Sequence, residues 1–254
     1  MKTVAVIGAS GFVGSAFVRQ ALGRFQVTEV TRDSYEEHQG KTFDVVVDAS
    51  GNSRKYLADE SPLLDFDASV RQRLRTIIDF PAATHVHVSS VDVYSDLSSE
   101  DLTREETLID RSRQSPYGFH KLLAEDVVRR YAKDWLIVRL AGMVGPSLRK
   151  NPVFDILNGH ELRIHAESRY QYMRTDVAAE ISLWLLEQGE RQVAMNICGS
   201  GLITLQEIAN LAQKELRVAS GAQIRVVHAS TARIRALRPV ETTREAIQSF
   251  LKRT

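Results

Sequence analysis

Met1-Lys2-Thr3-Val4-Ala5-Val6-Ile7 runs without a break into Gly8-Ala9-Ser10-Gly11-Phe12-Val13-Gly14, and then into Ser15-Ala16-Phe17-Val18-Arg19-Gln20-Ala21-Leu22. The first segment is short and apolar, as a parallel strand buried on both faces is. The last has the spacing of an amphipathic helix. A strand, a glycine turn and a helix in that order make a site for a phosphate. Gly8 permits the tight turn, Gly11 lets the main chain approach a pyrophosphate, and Gly14 lets helix and strand pack closely. The N–H groups and positive end of the helix then face the anion. Such a turn holds a dinucleotide through Gly8, Ser10, Gly11, Phe12, Val13 and Gly14.

The remaining composition narrows the field. Lys plus Arg number 33 against 32 Asp plus Glu. A balance so close to neutral gives no general pull toward nucleic acid or an anionic membrane. One cysteine, Cys198, excludes an internal disulfide and a cysteine-built zinc site. No apolar stretch approaches the ~20 residues of a membrane-spanning helix. The first strand begins so early that no signal peptide fits before it. A cytoplasmic protein is therefore expected.

Strand and helix signals alternate along the chain. Val27–Thr31, Phe43–Ala49, His85–Ser90, Trp135–Leu140 and Val193–Cys198 read as strands. Ser69–Phe80, Tyr117–Ala132 and Asp176–Glu187 read as helices, the first stopped by Pro81. Thr204-Leu205-Gln206-Glu207 is a capping box that opens a helix through about Leu216. This alternation predicts an α/β fold, a doubly wound parallel sheet of the Rossmann type with a small carboxyl-terminal substrate-binding cap. The expected division is 1–145 plus 170–200 for the dinucleotide-binding domain, and 146–169 plus 201–254 for the cap.

Two further features add chemistry. Tyr117 and Lys121 are four apart on one helix and share a face. Ser89-Ser90 ends a strand at the carboxyl edge, where ligands bind in such sheets. A phenol with a pKa of about 10 is a poor acid–base group at neutral pH unless a cation lowers it. Lys121 supplies that cation and also suits a ribose hydroxyl, while Ser90 can donate to a substrate oxygen. On a helix alone the pair is an ordinary coincidence; after the glycine turn and the Ser-Ser strand end it reads as a site.

The chain resembles the extended short-chain dehydrogenases/reductases, also called the NAD-dependent epimerase/dehydratase family. The resemblance rests on Gly8-x-x-Gly11-x-x-Gly14, Ser89-Ser90-Val91-Asp92-Val93-Tyr94 and Ser115-Pro116-Tyr117-Gly118-Phe119-His120-Lys121. It continues through Arg139-Leu140-Ala141-Gly142-Met143-Val144-Gly145-Pro146, Tyr172-Met173-Arg174-Thr175-Asp176-Val177-Ala178 and Asn196-Ile197-Cys198-Gly199-Ser200-Gly201. It implies a catalytic triad of Ser90, Tyr117 and Lys121 and a bound nicotinamide cofactor that Tyr117 and Lys121 also touch. A nucleotide-sugar substrate is implied too, and a homodimer formed through two long helices.

Three departures stand out. Only eleven residues separate Thr31 from Phe43, too few for the helix, strand and helix usual in the family. One β-α unit is expected to be lost there. The family's Asn before a Val on the middle helix is replaced by Ser69, and its Asn after Arg139 by Gly142. The segment after Pro146 is short.

The cofactor reading favours NADP over NAD. An acid ending the second strand would hold the ribose hydroxyls of NAD, but Thr31 stands there, and Arg32 suits the extra phosphate of NADP. Asp33 partly offsets that charge. Family dehydratases carry two acids before the tyrosine equivalent to Tyr94; Val91-Asp92 fills only the second place, which points to keto-reduction or epimerisation rather than loss of water. Asp92 reads equally as an auxiliary acid–base group and as a capping carboxylate. Asn52, Arg54 and Lys55 follow a strand end and are candidate substrate contacts, as are Gly142, Arg169 and Arg238. The last two belong to a set of cations with Arg163, Arg174, Arg233 and Arg235 that suits a diphosphate. His85 and His87 share a strand face without a third ligand beside them, and read as core histidines rather than a metal pair. The leading reading is an NAD(P)-dependent reductase or epimerase of a nucleotide-sugar. The alternatives are an NADP-binding redox sensor without turnover and a reductase of a small non-nucleotide ketone.

Overall fold

The computed structural model describes residues 1–253. It divides into two compact units. The first comprises residues 1–95, 108–140 and 176–195, the second 96–107, 141–175 and 196–254.

In the first unit the chain runs β1 (Thr3–Ile7), α1 (Gly14–Ala21), β2 (Gln26–Val30), α2 (Tyr35–His38) and β3 (Phe43–Asp48). It continues α3 (Lys55–Glu60), α4 (Pro62–Phe66), a π-helical turn (Asp67–Arg71), α5 (Gln72–Asp79) and β4 (Ala82–Ser90). After α6 (Pro116–Tyr131) and β5 (Trp135–Leu140) come the helix Thr175–Glu187 and the strand Val193–Ile197. The sheet order is Val193–Ile197, β5, β4, β3, β1, β2. Neighbours from β5 to β2 pair in parallel. Parallel strands covered on both faces must be apolar throughout: Val4, Ala5, Val6, Val46 and Val47 are all fully buried.

The order places β2 at the edge of the sheet. The eleven residues after Thr31 hold only the four-residue α2 and no strand, so the β-α unit is missing as the spacing required. β4 starts three residues before the expected His85, because Ala82 already pairs with Phe43. The helix expected from Ser69 opens instead on the π turn.

Most strands of the second unit are too short to carry a periodic signal. Strands Gly142–Val144 and Tyr172–Arg174 pair in parallel, Ile203–Thr204 pairs with Arg169–Tyr170, and Val218–Gln223 with Leu162–Ile164. Its core gathers Val153, Ile156, Leu162, Tyr172, Ile208 and Ile247. These pairings explain why the division departs from the expected boundaries at 96–107, 141–145, 170–175 and 196–200. Thr103 donates to the His228 carbonyl (2.9 Å) and accepts from the Ser230 N–H (2.9 Å), and Asn196 Nδ2 donates to the Thr103 carbonyl (2.8 Å). The capping box at Thr204 forms as read. Its helix stops at Ala212 rather than near Leu216, because Gln213 turns left-handed (φ 53°) and its N–H closes back on Ala209 and Asn210. A second capping box, Thr242 with Glu245, opens the helix Thr243–Leu251.

Candidate active site

The glycine turn is shaped by what its residues lack. Gly8 has φ +79°, and a Cβ there would sit 3.1 Å from the backbone of Ser50. A Cβ on Gly14 would run into the Gly8 carbonyl. The turn closes through the Gly11 N–H donating to Gly8 O at 2.9 Å. The result is a main-chain cradle at the start of α1, at the positive end of the helix. Beside it opens a cavity of about 650 Å³. Gly8, Ser10 and Gly11 form its wall, and Arg32 lines the far end with Asp33 and Arg75. Phe12 and Val13 lie in the turn leading into α1, Gly14 is the first residue of that helix, and none of the three lines the cavity. The cradle fits a pyrophosphate because its glycines leave the main chain bare, and a Cβ at Gly8, Gly11 or Gly14 would press on the backbone that shapes it.

The wall adjoining the cradle, Ala49-Ser50-Gly51, is held from behind. Asp48, at the end of β3, accepts from the Ser50 N–H (3.0 Å) and hydroxyl (2.6 Å). Arg73 on α5 pairs with Asp48 and donates to the Ser50 carbonyl (3.0 Å), and both side chains are buried. Loss of one partner from such a buried pair costs about 3–5 kcal/mol, because it strands the other charge.

The three residues expected to act all lie in this unit. Tyr117 and Lys121 share a face of α6, the ammonium 5.5 Å from the centroid of the phenol ring. Both are buried, and a Cβ on Gly51 would lie 3.9 Å from Lys121 Nζ, so the ammonium reaches the cavity wall. The phenol donates a long hydrogen bond to the Asn52 carbonyl, 3.5 Å. Ser90, at the end of β4, donates to Asp92 Oδ2 (2.8 Å) and its oxygen accepts from the Asp92 N–H (3.2 Å). The other Asp92 oxygen meets Lys55 Nζ at 2.6 Å. Ser90 is therefore the cap of the turn that follows β4, and the Asp92 carboxylate, an ion-pair partner of Lys55, already receives the Ser90 hydroxyl hydrogen bond.

Electrostatics set the resting protonation. Burial, then the carboxylates of Asp92 and Asp65, push the Tyr117 phenol well above its usual range, so it rests as a proton donor. Burial, and next the Arg73 guanidinium, push the Lys121 ammonium down to about 8. The placement of α6 against β4 is fixed by Glu125, which is fully buried and accepts from Ser89 (2.6 Å), Arg129 (2.8 Å) and Arg139 (2.9 and 2.8 Å). Burial alone would raise that carboxyl, but the Arg139 guanidinium outweighs it and holds it low.

A buried cluster that sequence reasoning missed underlies the site. Asp65 accepts from His120 Nδ1 (2.7 Å), from Asn52 Nδ2 (2.7 Å) and from the Ser69 hydroxyl (3.2 Å). Asn52 uses its amide within the unit, also donating to the Arg54 carbonyl (2.8 Å) and accepting from the Arg54 N–H (2.7 Å). Its contribution at the site is the carbonyl facing Tyr117. Ser69, in the family's Asn position, is spent on Asp65. Nothing in the spacing of Asn52, Asp65, Ser69 and His120 announces that they meet.

Gly142, Arg169 and Arg238 belong to the second unit. A Cβ on Gly142 would overlap the Tyr172 ring at 2.7 Å, which accounts for the glycine by packing. Arg169 is exposed on its short strand, and Arg174 pairs with Glu241 (3.0 Å). His85 and His87 are buried in β4, His85 Nε2 lying 3.2 Å from the Phe80 carbonyl. Cys198 is buried. No helix among the described residues is long and apolar enough to cross a membrane.

Fold and cradle together define a dinucleotide-binding α/β protein of the Rossmann type. The model of the NAD dependent epimerase/dehydratase family matches residues 42–198, and the chain belongs to that family. No curated protein matches by sequence. Among solved structures, a UDP-galactose 4-epimerase superposes with a TM-score of 0.76 at 22% identity, covering 98% of this chain and 97% of that one. RMD from Pseudomonas aeruginosa, complexed with NADPH, gives 0.80 at 20% identity over 99% and 97%. UDP-glucuronic acid 4-epimerase from Bacillus cereus, with UDP-glucuronic acid and NAD, gives 0.79 at 16% identity over 99% of each chain. At such identities the likeness is one of fold.

Proposed function

We propose that the protein is an NADP-preferring oxidoreductase or epimerase of a nucleotide-sugar, acting through Ser90, Tyr117 and Lys121. What supports this is that Tyr117 and Lys121 share a face of α6 with the Lys121 ammonium against the wall of the dinucleotide cavity, while Ser90 ends β4 in the same unit. A bound nicotinamide supplies or accepts the hydride. Tyr117, resting protonated, gives its proton to the carbonyl oxygen being reduced, and takes one back in the reverse direction. Lys121 stabilises the phenolate this leaves. Ser90 steadies the substrate oxygen once its hydroxyl turns from Asp92, and Lys55 keeps that carboxylate anchored meanwhile. With Val91 in the first acidic place, the chain lacks one of the two acids a dehydratase uses there.

The cofactor preference is supported by Arg32 at the cavity end, exposed and without an ion-pair partner among the described residues. The substrate class is supported by family membership and by the arginines of the second unit. A homodimer follows from the family resemblance, and Leu63 and Leu64 on α4, 80% and 61% exposed, supply apolar surface for an interface to bury. The substrate reading is tested by melting curves with NADP bound. UDP, dTDP, CDP or GDP should raise the midpoint by mass action on the folded state, and charge reversal at Arg169 or Arg238 should diminish that rise more than reversal at Arg19. No shift with any of them at millimolar concentration would replace the nucleotide-sugar with a small ketone.

A further inference from the structure

The missing β-α unit leaves the far end of the dinucleotide cavity to be walled by something else. The wall is α2 and the outer face of α5, joined through one buried carboxylate. Asp79, only 8% exposed, accepts from the Tyr35 hydroxyl (3.0 Å), from Gln39 Nε2 (2.9 Å) and from Arg75 Nε (3.1 Å), and its carbonyl accepts from the Gly40 N–H (2.7 Å). The Arg75 guanidinium lies over the Tyr35 ring, 5.1 Å from its centroid. It is thus held at its inner nitrogen and across its face. Its two terminal nitrogens make no hydrogen bond or ion pair among the described residues, on a side chain 52% exposed.

Charge at this end makes that cation matter. Arg32 is accompanied there by Asp33 and Glu36. Without Arg75 the acids outnumber the base, and a dianionic phosphate would be repelled. Counting Asp79, which Arg75 pairs, three acids still stand beside two bases, so what Arg75 adds is directed donors: a planar fork on a cavity-lining residue, with two terminal nitrogens unpaired among the described residues, the geometry suited to phosphate oxygens.

We propose that Arg75, tethered by Asp79 and stacked on Tyr35, is a second phosphate-binding residue of this cavity, and that with Arg32 it recognises the 2′-phosphate of NADP. The inference rests on the NADP reading above, and the test separates the two. Titration calorimetry on the full chain would compare 2′,5′-ADP with 5′-AMP, ligands that differ only in the 2′-phosphate and require no turnover. The unmodified protein should bind 2′,5′-ADP more tightly. Arg75→Gln should cost that ligand about tenfold or more, the lower range for a hydrogen bond to a charged group, and leave 5′-AMP unchanged. Arg75→Lys, which keeps the charge but not the fork, should recover part of the loss. If Arg75→Gln and Arg75→Lys bind like the unmodified protein while Arg32→Ala loses the preference, the role of Arg75 is overturned and the NADP reading stands. If the unmodified protein binds the two ligands equally, or 5′-AMP more tightly, both fall.

Discussion

The two ends of the dinucleotide cavity are built by opposite means. At the Gly8 end the site is main chain, and its shape comes from side chains that are absent. At the Arg32 end the site is side chain, and its shape comes from a carboxylate, a phenol and a guanidinium brought together by α2 and α5. The first end is local, made within one strand–turn–helix. The second joins residues 40 and more apart in the chain. A local site has little freedom to vary, because one added carbon presses on the main chain that forms it. A site assembled from distant side chains is where cofactor choice can change without disturbing the fold.

The largest effect expected lies outside both ends, in the chemistry they serve. Tyr117→Phe should lower turnover by about 10²–10⁴-fold, the usual weight of a positioned acid–base group, with cofactor affinity nearly intact. Steady-state rates on any substrate found, alongside cofactor titration, check both halves. A variant keeping half the normal rate would remove the tyrosine from the mechanism.

At the main-chain end, Gly14→Val drives carbon into the Gly8 carbonyl. It should destabilise the protein by at least about 1–3 kcal/mol, as overpacking does, and abolish binding of both NADH and NADPH. Denaturant unfolding and calorimetry measure the two losses. Binding of either cofactor by a folded Gly14→Val protein would break the claim that this end admits no side chain.

At the side-chain end, the change should be selective. Arg32→Ala should remove most of the preference for NADPH over NADH, on the order of 1.5–3 kcal/mol for a charge-assisted contact, while NADH binding persists. Equal affinities for the two cofactors in the unmodified protein would erase the distinction between the ends.

The smallest effect concerns Lys121, between them. In the folded, cofactor-free protein its proton leaves near pH 8, whereas an unfolded lysine holds its proton to about 10.4. Across that window the unfolded chain binds the extra proton, so this group makes stability rise with pH, with a slope of no more than about one proton. Lys121→Met should flatten that part of the profile. Unfolding free energies at pH 8 and pH 10 for both proteins provide the measurement, and parallel profiles would place the Lys121 titration elsewhere.

Much of the first unit was legible in the chain because its signals are periodic and local. β1, the glycine turn and α1 follow one another directly, Trp135–Leu140 spans the strand as read, and a four-residue spacing was enough to put Tyr117 and Lys121 on one face of α6. The shortage of residues after Thr31 showed that a β-α unit had to be missing. One further local signal went unread: Thr242 and Glu245 form a capping box in the same pattern as Thr204 and Glu207, and it opens the helix Thr243–Leu251.

The second unit was largely illegible, since strands of two or three residues are shorter than any repeat that could reveal them. Thr103 could not be assigned to it either, because the pairing with His228 and Ser230 crosses more than a hundred residues.

By itself the sequence determined the strand–turn–helix cradle, the alternation of strand and helix that makes the sheet parallel and the face shared by Tyr117 and Lys121. These depend on backbone conformation and on residues within a turn or two of each other. Only the tertiary structure decided that Asp65 ties His120, Asn52 and Ser69 together in the unit that holds the phenol, that Ser90 donates its hydrogen bond to an Asp92 anchored by Lys55, and that Asp79 sets Arg75 beside the cavity. Each of these is a buried or half-buried polar group that must find a partner. Which partner it finds depends on how the strands and helices pack, and no spacing along the chain records that.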